Sequence, residues 1–143
     1  MKKWIAALLT CLVALPTWAG QFKEIKDTEV HYVALSSTFL TPQVAKSYGL
    51  KRSEYSAIVN ISVLDKSRVG KPALTATVKG QAKNLLGQIR TLTFKEIREG
   101  EAVYYIAELP VNHEESLTFD LDINAGLKGA GKLTFTQKFY IEE

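Results

Sequence analysis

The chain reads as an all-β protein: a seven-stranded antiparallel sandwich of immunoglobulin or fibronectin type III kind, with one short helix between the first two strands. Three observations predict this. Apolar and polar residues alternate with period two through most of the sequence, the pattern of strands with one face in a core and one in water. Turn residues interrupt that pattern at short, regular intervals. A single segment carries both a helix start signal and a helix stop signal.

Taken in order, Glu29 to Thr38 is the first expected strand. Thr41 to Gly49 follows as a two-turn helix, with Thr41 as N-cap, Pro42 at the first helical position and Gly49 at the stop. Ser56 to Leu64 is apolar on both faces and rich in β-branched residues, as a central strand is. Val69-Gly70-Lys71-Pro72 ends a linker. Leu74, Ala76, Val78, Gly80 and Ala82 then alternate with polar residues. Asn84 to Gly87 reads as an irregular turn, and Arg90 to Ile97 as one strand with Leu92 and Phe94 inward. Glu99-Gly100 turns the chain into Ala102 to Leu109, a second central strand closed by Pro110. Leu117 to Ile123 and Leu133 to Ile141 complete the set, joined by the glycine-rich stretch Gly126 to Gly131.

Residues 1–19 stand apart. Lys2 and Lys3 precede an apolar run from Ile5 to Leu15, Pro16 breaks it, and Thr17-Trp18-Ala19 places small residues where a signal peptidase reads. This is the pattern of a secretory signal peptide cleaved after Ala19, leaving one domain over residues 20–143. Leu8 to Cys11 only loosely fits a lipoprotein signal, because Thr10 is a poor neighbour for an acylated cysteine. The leader carries Cys11, Met1, Trp4 and Trp18, so the mature chain holds no sulfur and no tryptophan. Disulfides cannot stabilise it, and packing must. Without Lys2 and Lys3, the 18 basic residues exceed the 15 acidic ones by one. A near-neutral chain with no long run of one sign argues against nucleic acid as partner. No later apolar stretch is long enough to insert in a membrane.

Several segments in combination resemble one family. They are His31-Tyr32, Ser37 to Pro42, Val44-Ala45, Tyr48-Gly49 and Lys51-Arg52-Ser53, with Gly80-Gln81-Ala82, Asn84-Leu85, Gly87-Gln88, Leu92 to Gly100 and Gln137 to Tyr140. The chain is similar over nearly its whole mature length to the family catalogued as domain of unknown function 4426. The resemblance implies a small exported protein of Gram-negative bacteria, periplasmic and single-domain, and it brings no catalytic residues with it.

The residues themselves offer little chemistry. No serine sits in a nucleophile elbow, no cysteine follows the leader, and the Asp120 and Asp122 pair lies on the outer face of a strand. Neither an enzyme nor a cofactor is expected. Asn112-His113-Glu114-Glu115 is the one local group of metal-ligand types: His113, Glu114 and Glu115 offer imidazole and carboxylate, short of a full ligand set. The sequence therefore favours a non-enzymatic periplasmic module that contacts another envelope protein. Its candidate surface is Phe39, Leu40, Tyr48, Lys51 and Arg52, in the insertion around the helix. The alternative is a protein binding a small ligand or a divalent metal, with a pocket lined by Tyr32, Tyr104 or Tyr105.

Overall fold

The computed structural model describes residues 21–141. The signal-peptide reading of residues 1–19 lies outside them. The described chain is all-β apart from one helix and two short 3-10 turns. Its strands are β1 (Gln21–Ile25), β2 (Thr28–Ser36), β3 (Ser56–Asp65), β4 (Thr77–Asn84), β5 (Ile89–Leu92), β6 (Lys95–Glu99), β7 (Ala102–Pro110), β8 (Glu115–Asn124) and β9 (Ala130–Phe139). Helix α1 (Pro42–Tyr48) lies between β2 and β3.

All pairings are antiparallel. A five-stranded sheet runs β1-β2-β3-β7-β6 and a four-stranded sheet runs β5-β4-β8-β9. The expected seven strands are corrected to nine among the described residues, for two reasons. Gln21–Ile25 exposes every residue but Ile25, so it carries no apolar alternation. It is a strand because the Lys26-Asp27 turn folds it back on β2. The stretch Arg90 to Ile97 is two strands: β5 pairs with β4, and after Thr93-Phe94 the chain crosses to the other sheet, where β6 pairs with β7. The helix accordingly follows the second strand and not the first.

The two sheets enclose one apolar layer. Phe119, Leu117, Leu121, Leu133, Ile61, Val30, Val59 and Val63 are fully buried there. Phe135 stacks on Phe119 at 4.8 Å and meets Tyr32 at 4.5 Å. Burying side chains of this size contributes about 1.5–3 kcal/mol each, which a domain without disulfides needs. A second, smaller cluster lies on the outer face of the five-stranded sheet. There Ala45 and Leu50 of the insertion cover Ile58 and Ile106, with Leu35, Leu40, Tyr48, Ile97 and Tyr104 packed around them.

The helix forms as its end signals require. The Thr41 hydroxyl accepts the Val44 N–H at 3.2 Å, and Gly49 takes the left-handed conformation, φ 68°, that ends the helix.

Candidate functional site

The insertion between β2 and β3 is closed by a small polar lock. The buried Ser37 hydroxyl donates to the Ser53 carbonyl at 2.9 Å and accepts the Ser53 N–H at 2.8 Å. The Arg52 guanidinium donates to the Leu40 carbonyl at 2.7 Å and to the Thr38 carbonyl at 3.2 Å. The Tyr48 hydroxyl donates to the Glu99 carboxylate at 2.6 Å, and that contact pushes its pKa up to about 12. The five residues singled out from sequence thus separate by role. Leu40 and Tyr48 pack on the second cluster, and Arg52 is committed to backbone carbonyls. Lys51 is exposed, with its N–H donated to Glu108 at 3.2 Å. Phe39, at the end of the Ser37–Phe39 turn, stays 77% exposed.

Phe39 borders a groove of about 510 Å³ that runs between the end of β2 and the end of β9. Ala34, Leu35, Glu54, Lys138 and Tyr140 also line it. Its two rims are strand edges. Among the described residues, β1 pairs with β2 from Thr28 to Tyr32, and none of them pairs with β2 on that side from Val33 to Ser36. The Lys66 N–H donates to the Asp27 carbonyl at 3.0 Å, which fixes the alternation of the ladder with β3. Residues 29, 31, 33 and 35 bond β3, and both main-chain groups of Ala34 and the Ser36 N–H point away from it, while the Ser36 carbonyl opens the Ser37–Phe39 turn. No described residue pairs with them there. On the facing rim, the Lys138 carbonyl receives the Gln137 side chain at 3.0 Å.

The other predicted groups do not converge. The His113 Nδ1 accepts the Ile141 N–H at 2.9 Å, and its ring is exposed. Glu114 is exposed beside it, with its carboxylate 3.8 Å from Nε2. Glu115 turns inward instead: Arg90 donates to it twice, at 2.9 and 2.8 Å, and Asn84 and the Asn112 N–H donate as well. Burial alone raises the Glu115 carboxyl, but these donors outweigh it and bring the pKa down to about 2. Tyr32 packs on Phe135, Tyr104 lies under the insertion, and the Tyr105 hydroxyl donates to Glu96 at 2.8 Å while accepting the Ala76 N–H. They line no common pocket. Among the described residues, no three His, Cys, Asp or Glu side chains are placed to hold a metal ion together. No described helix is long and apolar enough to cross a membrane.

Sequence reading missed the buried carboxylates of Glu29 and Asp65. Glu29, 6% exposed on the outer face of β2, receives Lys71 at 2.8 Å and lies 2.6 Å from the His31 Nε2. The Lys71 contact first, then His31, holds its carboxyl below the ordinary range. Phe22 stacks on the His31 ring at 5.1 Å. The period-two spacing of Glu29 and His31 puts them on one face, but nothing local points to Lys71.

Comparison with known proteins gives the following. Residues 22–142 match the model of the family described as "Domain of unknown function (DUF4426)". A crystal structure of a DUF4426 family protein from Pseudomonas aeruginosa PAO1 superposes with a TM-score of 0.76 at 32% identity, covering 87% of this chain and 97% of that one. A copper-bound variant of FetP from uropathogenic Escherichia coli strain F11 gives a TM-score of 0.57 at 15% identity, covering 85% and 95%. FetP from the same strain, recombinantly expressed in the E. coli periplasm, gives 0.58 at 14%, covering 87% and 95%. At these identities the FetP likeness is one of fold. No curated protein matches the chain.

Proposed function

The chain belongs to the DUF4426 family, and we propose that it is a non-catalytic binding module of the bacterial envelope, engaging a protein partner at the end of the sandwich that carries Phe39. The observation that carries this reading is the Phe39 groove. An aromatic ring is held in solvent by a hydroxyl-locked insertion, beside an opening bordered by two strand edges. Exposed aromatic side chains on well-braced loops are frequent anchors of protein interfaces. The leader-like residues 1–19 support a periplasmic location after cleavage at Ala19. We read the fold as immunoglobulin-like. The order β2-β3-β7-β6 opposite β4-β8-β9 follows the constant-type order, with β1 and β5 added at the edges.

The test is capture in place. A photoreactive side chain at Phe39 in the exported protein should crosslink one dominant envelope protein, and the same group at Asp120, on the outer face of β8, should not. Equal labelling from both positions, or none from Phe39, refutes the reading.

A divalent-metal role is the second reading, favoured by the copper-bound FetP likeness and by the Glu29 and His31 pair. Copper(II) or zinc should then raise the melting temperature of the native protein. Loss of that shift in His31→Ala or in His113→Ala would say which imidazole is the ligand, and no shift in the native protein removes the idea.

A further inference from the structure

We infer that the groove takes an extended peptide segment of the partner, which adds as a strand to the edge of β2 at Ala34 and Ser36. This rests on the reading of the Phe39 end as a partner surface and names the form the partner takes there.

The geometry of the β2 edge points to this. Ala34 directs both its main-chain groups, and Ser36 its N–H, into the groove, because the alternation set by the Lys66 to Asp27 bond gives their neighbours, and not them, to β3. Edge groups of this kind are the template for strand addition. β1 already occupies the same line of β2 and begins at Gln21, opposite Tyr32. Among the described residues, none stands opposite Ala34 or Ser36 on that line. The incoming segment therefore prolongs the line of β1, antiparallel to β2, so that one peptide residue bonds both groups of Ala34.

Side-chain chemistry limits the occupant. Cross-strand partners share a face, so the residue opposite Ala34 points inward toward Phe139. Ala34 is small, which leaves room there for an apolar side chain. The residues on either side point outward, beside Leu35 and Phe39. The walls carry one acid, Glu54, and one base, Lys138, so a segment of low net charge suits them. An alternating, weakly charged, extended peptide is the ligand class.

The probe is a peptide selected from a display library of random sequences on the purified residues 20–143. Selected peptides should alternate apolar and polar residues and should slow amide exchange at Ala34 and Ser36. Ala34→Pro removes the outward N–H without touching the ladder with β3, a place where an edge strand tolerates proline. It should weaken binding by about tenfold or more in a protein that still unfolds cooperatively. Equal affinity for Ala34→Pro, or no slowing of exchange at Ala34 and Ser36 in the native protein, overturns strand addition. If Ala34→Pro fails to fold, the exchange measurement on the native protein decides alone. If no peptide is selected while Phe39 still crosslinks a protein, strand addition falls and the partner-binding reading stands. If the crosslink is also absent, both fall.

Discussion

Glu115 shows how one side chain can be read as a ligand in sequence and act as a brace in the folded chain. Its two oxygens accept from Arg90, Asn84 and the Asn112 N–H, tying the start of β8 to β5 and to the β4–β5 turn. Its carboxyl drops from 4.5 to about 2. A depressed folded pKa contributes stability that is present above the unfolded value and lost as pH falls through the folded one. The melting temperature should therefore drop between about pH 4.5 and 2, and Glu115→Gln should flatten that part of the profile. Arg90→Ala, which leaves a half-buried carboxylate short of two donors, should cost about 2 kcal/mol by urea unfolding at neutral pH. Glu29 was equally opaque from sequence. Its face followed from period-two spacing, but its burial depends on Lys71, which lies 42 positions along the chain.

At the scale of elements, legibility tracked the apolar pattern. β3, β7, β8 and β9 were plain because each buries alternate or successive residues. The helix was plain because its start and stop rest on local residues, Thr41, Pro42 and Gly49. β1 was not, since a strand held only by its neighbour leaves no hydrophobic trace. The β5 to β6 crossing was hidden because alternation runs unbroken through Thr93-Phe94 while the chain changes sheets. The β2 edge that borders the groove is a matter of which described residues pair with it, and so could not be seen in β2 itself. One glycine marks a contact between elements. A Cβ on Gly80 of β4 would lie 2.3 Å from the Asp120 carbonyl of β8. Gly80→Ala should destabilise by about 3 kcal/mol, measured by thermal or urea unfolding, because backbone and not a flexible side chain would have to move.

At the scale of the whole molecule, Val69 and Leu127 are exposed at the end that carries the β1–β2 turn, and a larger set of exposed apolar residues lies at the other. Phe39, Tyr55, Leu85, Leu86 and Tyr140 all lie where β2 and β9 end and β3 and β8 begin. Leu85 and Leu86 are 88% and 85% exposed at the tip of the β4–β5 turn. The Asn84 side chain holds that tip, accepting the Leu86 and Gln88 N–H groups. Replacing both leucines with serine should leave stability within about 0.5 kcal/mol and lower the binding of a hydrophobic dye. An unchanged dye signal would place the sticky surface elsewhere.

The opposite end of the sandwich is arranged differently. The β1–β2 turn is gripped by the β8–β9 connection: the Asp27 N–H donates to the Lys128 carbonyl at 2.9 Å, and Lys26 donates to the Leu127 carbonyl at 3.0 Å. Gly129 passes so close to the Ile25 carbonyl that a Cβ there would sit 2.5 Å from it. The first described strand is thus held by the connection that leads into the last described one. However early β1 and β2 pair, their turn stays ungripped until the β8–β9 connection has folded against it, so a contact between residues about 100 positions apart closes this end of the sandwich.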